Sequence, residues 1–140
     1  MARGGRIQLN MDHRRFQQRL DLSIRRVERG TRKATVTACE ELKQMTLDEV
    51  PEKSGTLRKS FYYEILGYRR NFEAILGYGG NGDPVNPRTG QRASEYMLIV
   101  HEDLDAHHDK GKAKYLEDPL REYRSRFVST IAKDIREALN

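Results

Sequence analysis

The chain has 140 residues, 26 Lys and Arg, 21 Asp and Glu, a formal charge of +5, 36% hydrophobic and 34% charged residues. That is a polar balance for one domain with a modest core, so part of the surface is expected to await a partner or part of the chain to be disordered. The longest apolar run, Tyr96-Met97-Leu98-Ile99-Val100, falls far short of the roughly 20 residues of a membrane span; the N-terminus lacks the apolar stretch of a secretory signal, and a single cysteine, Cys39, cannot form an internal disulfide, so an intracellular product is expected.

Residues 1–11 contain two glycines and show no periodicity, and read as a flexible basic arm. From Asp12, a plausible N-cap, a long helix is expected. Phe16, Leu20, Ile24, Val27, Thr31, Ala34, Ala38, Leu42 and Met45 recur at steps of three or four, the helical period. Gly30 interrupts this stripe at a cost of roughly 1 kcal/mol against Ala, so a kink or break there is an option. The stripe weakens to small residues at its centre, where another backbone could approach closely. Pro51 ends the helix, because the residue before a proline disfavours helical geometry. Cys39 lies near the stripe and reads as a small buried hydrophobe rather than a reactive thiol.

Charge is concentrated in this first quarter. Residues 1–33 hold ten basic and three acidic residues, a net of +7, while the rest of the chain nets −2. Arg14, Arg15, Arg19, Arg25, Arg26, Arg29 and Arg32 therefore form a candidate patch that faces DNA or an acidic protein surface. A solvated helix face is the plainer reading.

Residues 51–60 read as a polar turn pivoting on Gly55. The period then changes: Ser60–Gly67 and Phe72–Tyr78 are rich in aromatic and branched residues and predict the two strands of a hairpin. Tyr62, Tyr63, Tyr68, Arg69, Arg70 and Phe72 interleave aromatic and basic residues, which suits base stacking, although core packing with an exposed turn is the plainer reading. Residues 79–95 hold four glycines and two prolines and predict a long mobile loop. Tyr96–His101 reads as a third strand, apolar on both faces and so covered on both, with a neighbouring subunit as one candidate cover. Residues 102–117 read as a second mobile loop. Asp118-Pro119 has the pattern of an N-cap and a first-position proline, and Leu120, Tyr123, Phe127, Ile131, Ile135 and Leu139 then predict an amphipathic C-terminal helix.

This order predicts one α+β domain over residues 12–140: a long N-terminal helix, a small antiparallel sheet of a hairpin plus a third strand, and a C-terminal helix packed on the sheet. No nucleophile, phosphate-loop or dinucleotide motif is present. His101, Glu102, Asp103, Asp105, His107, His108 and Asp109 are the residue types that bind zinc or manganese, but they match no defined ligand spacing and read as an exposed loop. No catalytic residue, metal or cofactor is expected, and the chain is not expected to be an enzyme.

Three further patterns carry a resemblance. Val50-Pro51-x-x-Ser54-Gly55-x-Leu57-x-x-Ser60, following a long helix, resembles the P-x-x-T/S-G-x-L-x-x-S signature of the tailed-phage neck proteins: the small head–tail joining, tail-completion or minor capsid proteins of long-tailed phages. After the hairpin, Tyr96-Met97-Leu98-Ile99-Val100-His101-Glu102 resembles that family's Tyr-containing strand ending in an acid. Leu116-Glu117-Asp118-Pro119-Leu120 resembles its entry to the last helix. The family's usual Gly-Thr after the acid is replaced here by Asp103-Leu104-Asp105-Ala106-His107-His108, and the 79–95 segment is longer.

The resemblance implies a structural virion protein, made in the host cytoplasm and placed at the head–tail interface. It implies self-association into a ring, often a hexamer and in some cases monomeric before assembly. Its implied partners are the portal or connector and the tail-tube or tail-terminator proteins, with DNA passing nearby and no membrane. Whether the position is tail terminator, tail completion or head completion stays open. The expected assembly surfaces are Ser54, Gly55, Leu57 and Ser60 of the signature, Tyr78, Gly80, Asp83 and Arg88 after the hairpin, and Tyr96, His101, Glu102, Asp105 and Tyr115 further on. A DNA-binding accessory protein, using residues 1–33 and the Arg69-Arg70 turn, is the alternative.

Overall fold

A computed structural model describes residues 12–68, 71–80 and 82–140. The 1–11 arm and the Arg69-Arg70 turn lie outside the described residues. Helix α1 spans His13–Glu49, 37 residues, or about 55 Å at 1.5 Å per residue. Asp12 caps it, its carboxylate accepting from the Arg15 N–H at 3.2 Å. The helix runs unbroken through Gly30 and stops where Val50 turns extended (φ −65°, ψ 132°) before Pro51.

A single turn of helix follows, α2 (Thr56–Lys59), capped by Gly55 at φ 73°, a left-handed conformation that glycine adopts without strain. Strands β1 (Tyr62–Tyr68) and β2 (Asn71–Gly77) pair antiparallel, Tyr62 opposite Gly77 and Tyr68 opposite Asn71. Two helices complete the fold: α3 (Ala93–Glu102) and α4 (Glu117–Leu139). The class is α+β, rich in helix, with a two-stranded sheet.

The expected third strand is a helix. Tyr96–His101 lies within α3, and its inward residues are Tyr96, Met97 and Val100, at helical spacing, while Leu98 and Ile99 face outward at 65% and 67% exposure. Glu95 in the first turn accepts from the Arg92 N–H at 2.9 Å. From outside the helix, Asp83 accepts from the Ser94 N–H at 2.9 Å and from its hydroxyl. Both carboxylates sit at the positive end of the helix dipole, which favours helix over strand.

The C-terminal helix also differs from expectation, because it packs chiefly along α1 rather than on the sheet. The two helices run antiparallel: Arg26 reaches the Leu139 carbonyl, Gly30 lies against Ile135 and Ala138, and Arg126 lies against Met45. Gly30 is the close approach. A Cβ there would sit 2.9 Å from Ala138 Cβ and 3.0 Å from Ile135 Cα, so the small centre of the stripe is where a second backbone comes near. Asp134, buried beside this crossing, is met by the Thr37 hydroxyl at 3.4 Å and Lys33 at 3.8 Å. The first turn of α4 starts at Glu117, so Asp118 lies inside it rather than capping it.

Two cores result. Ala38, Leu42 and Tyr123 form one between α1 and α4, with Leu76 of the hairpin against it. Val50, Leu57, Tyr78, Ala93 and Tyr115 form the other, at the C-terminal end of α1.

Candidate assembly surfaces

The signature residues build a fastener. Ser54 and Thr56 hydroxyls bond at 2.9 Å, and Leu57 enters the second core. Ser60 is buried: its hydroxyl donates to the Leu57 carbonyl at 2.6 Å and accepts from the Gly79 N–H at 3.0 Å, tying the segment after β2 to the signature. Gly79 (φ 74°) could carry no side chain, since a Cβ would lie 2.8 Å from Ser94 Cα.

Beside the fastener runs an aromatic ladder of edge-on contacts. Phe61 meets Tyr78 at 5.3 Å between centroids, Tyr78 meets Tyr115 at 5.1 Å, and Tyr115 meets His101 at 5.0 Å. The Tyr78 hydroxyl bonds Thr46 Oγ1 at 2.9 Å, and the Tyr115 hydroxyl donates to the Met97 carbonyl at 2.8 Å. Burial pushes the Tyr78 hydroxyl from its ordinary 10.0 up to about 12, and pushes Tyr115 in the same direction. A raised pKa in the fold means stability complete below pH 10 and lost as pH rises toward 12. Tyr78 alone is expected to withdraw about 2–3 kcal/mol across that window. Tyrosinate absorbance and far-ultraviolet circular dichroism recorded together against pH would check it. Part of the tyrosinate signal should appear only as helicity is lost; full titration of the seven tyrosines in a still-helical chain would contradict it.

Leu57, Ser60, Tyr78 and Tyr115 are therefore interior to the folded chain, not surface residues as expected for assembly contacts. Ser54, Gly55 and Tyr96 instead line one cleft of about 240 Å³ together with Asn86, Gln91 and His108. Arg88 is exposed on the neighbouring turn, where its N–H bonds the Asn86 side chain at 2.9 Å. A Cβ on Gly80 would strike the Tyr62 ring at 2.1 Å, so that glycine seats an aromatic.

The 102–117 segment is fixed at several points. Lys112 N–H bonds the Glu49 carbonyl at 2.9 Å, and Lys114 N–H bonds the His101 carbonyl at 2.8 Å. The Lys114 ammonium bonds Glu102 and lies 3.1 Å from Glu117. Lys114 and His101 hold the Glu102 carboxyl below its ordinary range, and Glu102 in turn raises Lys114. Asp118 and Glu49 do the same for Lys112. His101 Nδ1 faces Glu102 at 2.7 Å and its Nε2 faces the Glu117 N–H at 3.4 Å, so both ring nitrogens are engaged. Because the helix ends at Glu102, His101, Asp103, Asp105 and His107 do not share a face. Among the described residues no group of three or more His, Cys, Asp or Glu converges on a metal position. Cys39 is buried, and burial first, then Glu40, raises its thiol and keeps it protonated.

Two surfaces remain open. An apolar groove of about 530 Å³ lies between α1, β2 and α4, floored by Ala38, Leu42 and Leu76 and edged by Leu120 and Phe127. The second surface is the N-terminal half of α1. At 100° per residue, Arg14, Arg15, Arg19, Arg25, Arg26, Arg29 and Arg32 fall within an arc of about 140°, with α4 along one border, where Arg26 reaches the Leu139 carbonyl. Asp12, Asp21 and Glu28 fall outside that arc. Among the described residues Arg14, Arg19, Arg25, Arg29 and Arg32 have no ion-pair partner, whereas Arg15 pairs with Asp12 at 3.4 Å. Arg25, Arg29 and Arg32 share a groove of about 480 Å³ with Leu22 and Glu28 of α1 and with Gly67, Tyr68 and Phe72 of the hairpin.

The chain matches no protein-family model, no curated protein and no solved structure. Among the described residues no helix is long and apolar enough to cross a membrane.

Proposed function

We propose that this chain is a structural protein of a long-tailed phage neck, assembling as a ring that completes the tail or joins it to the portal or connector. The observation that supports it is the meeting of separate motifs in one place. Ser54 and Gly55 of the signature and Tyr96 of the second motif line a single cleft, and Ser60 ties the intervening segment to it. A ring subunit also needs adhesive surface, and Leu98 and Ile99 on α3 and Leu104 just after it are each exposed. Quantitative mass spectrometry of purified tailed particles whose genome encodes the chain tests this reading. The expected result is about six to twelve copies per particle, in the range of closed cyclic rings; absence from intact particles would sink it.

The turn over residues 86–91 gives a sharper check. Asn86 and Gln91 close it by an N–H to carbonyl bond of 2.8 Å, with Arg88 at its tip. Deleting 86–91 leaves Asp83 to cap α3, so the monomer should keep its helicity and melting temperature. Particle joining is expected to fail. Infectious particles carrying the deletion would remove this turn from the assembly surface.

A DNA-binding accessory protein is the second reading, and one observation favours it: the arginine face of α1.

A further inference from the structure

Resting on that second reading, we infer that the groove between α1 and the Gly67, Tyr68 and Phe72 side of the hairpin grips the phosphate backbone of double-stranded nucleic acid without reading its sequence. Arg25, Arg29 and Arg32 are its cations, and Arg14 and Arg19 extend it along the helix. Arg14 to Arg32 covers about 27 Å of helix axis, alongside a polyanion carrying one charge per roughly 1.7 Å. All seven cations named on this face are arginines, whose planar forks hold phosphate oxygens in pairs.

Phosphate fits this face better than an acidic protein does. Protein interfaces draw their affinity from buried aromatic and apolar anchors near the centre. Leu22 is the only apolar residue in the arc from Arg14 to Arg19, and across the groove stand the aromatics Tyr68 and Phe72, against five arginines without an ion-pair partner among the described residues. Sequence readout needs an element that enters a groove of the duplex, whereas Arg25, Arg29 and Arg32 line a recess walled by Gly67, Tyr68 and Phe72, which receives a phosphate ridge rather than a base edge. Glu28, inside the groove, repels phosphate on one side and so fixes which wall the strand follows. A single chain supplies every residue of this site, so it does not depend on ring assembly.

Fluorescence anisotropy of the full chain with a labelled mixed-sequence duplex of about 20 base pairs, at several salt concentrations, tests the site. Five phosphate contacts predict log affinity falling with log salt at a slope of about −4.5. R25E/R29E/R32E is expected to weaken binding by at least about 100-fold at low salt and to flatten the slope by two to three. R25Q/R29Q/R32Q is expected to flatten it alike, and serves should the reversal disturb folding. K53E/K59E/K110E makes the same change of net charge on exposed residues away from the groove and is expected to retain most of the affinity. No salt-dependent binding by the parent chain would overturn both the second reading and the site. Binding that survives the groove substitutions, or falls equally with the control, would overturn the site and leave DNA binding standing. Displacement of the duplex by polyglutamate as readily as by unlabelled duplex would assign the face to an acidic protein and overturn the inference.

Discussion

Tyr115→Ala is expected to cost about 3–5 kcal/mol, enough to lower the melting temperature by roughly 10 °C or more. Tyr115 is 2% exposed and stands in the middle of the ladder, between Tyr78 and His101. Its removal leaves a cavity under α3, takes from the Met97 carbonyl the donor it has besides its helical one, and releases His101 from its edge contact. Tyr115→Phe separates these contributions. It keeps the ring contacts and loses only the bond to Met97, so about 1 kcal/mol is expected. Urea denaturation of both variants checks the ordering. Equal losses would mean that the hydroxyl, not the ring, supports α3.

Gly30→Val is expected to destabilise by about 3 kcal/mol or more. A Cβ at residue 30 would already sit 2.9 Å from Ala138 Cβ, 3.0 Å from Ile135 Cα and 3.1 Å from the Asp134 carbonyl. Two of those three atoms are backbone, so relief requires α4 to move as a body. Such a shift would draw Asp134 away from Thr37 and Lys33 and leave a buried carboxylate poorly matched. Gly30→Ala adds up to about 1 kcal/mol of helix propensity and loses more than that at the crossing, so a net loss near 1 kcal/mol is expected. Thermal melts of the two variants decide it, and an alanine variant more stable than the parent would show that the helices have room to spare.

Much of the fold was legible because local chemistry and period agree. The stripe from Phe16 to Met45, the Asp12 cap, the Pro51 stop and the two branched, aromatic runs each carry one unambiguous signal. Tyr96–Val100 does not. A five-residue apolar run fits both periods, and here the outward positions, Leu98 and Ile99, are as apolar as the inward ones, so no polar face marks the helix. Glu95 was the visible hint; the stronger cap, Asp83, is eleven residues away from Ser94 and closes only in three dimensions. The partner of α4 was missed for a related reason. The small residues at Gly30, Ala34 and Ala38 advertised a close neighbour without naming it, and a two-stranded hairpin offers too narrow a face for a 23-residue helix.

The candidate site was legible in part. The signature residues do gather near Tyr96, but Ser60 and Tyr78, which the resemblance put at an assembly surface, are interior. Ser60 is interior since its hydroxyl serves the Leu57 carbonyl and the Gly79 N–H, and Tyr78 because its hydroxyl has Thr46 to bond. The arginine face needed no structure at all. Counting charge along the chain finds the residues, and placing them at 100° intervals shows that they share one face.

The pairing of α1 with α4 also sets an order of events during synthesis. Lys33 and Glu137, which meet across the crossing, are 104 residues apart in the chain. At ribosomal rates of about 5–20 residues per second, the middle of α1 waits some 5–20 s for the helix that covers it. During that interval its small-residue seam is bare while the hairpin, which is local, can already close. The nascent chain is therefore most open to chaperones, and to mispairing with a sister chain on the same message, along the one surface that the finished protein hides best.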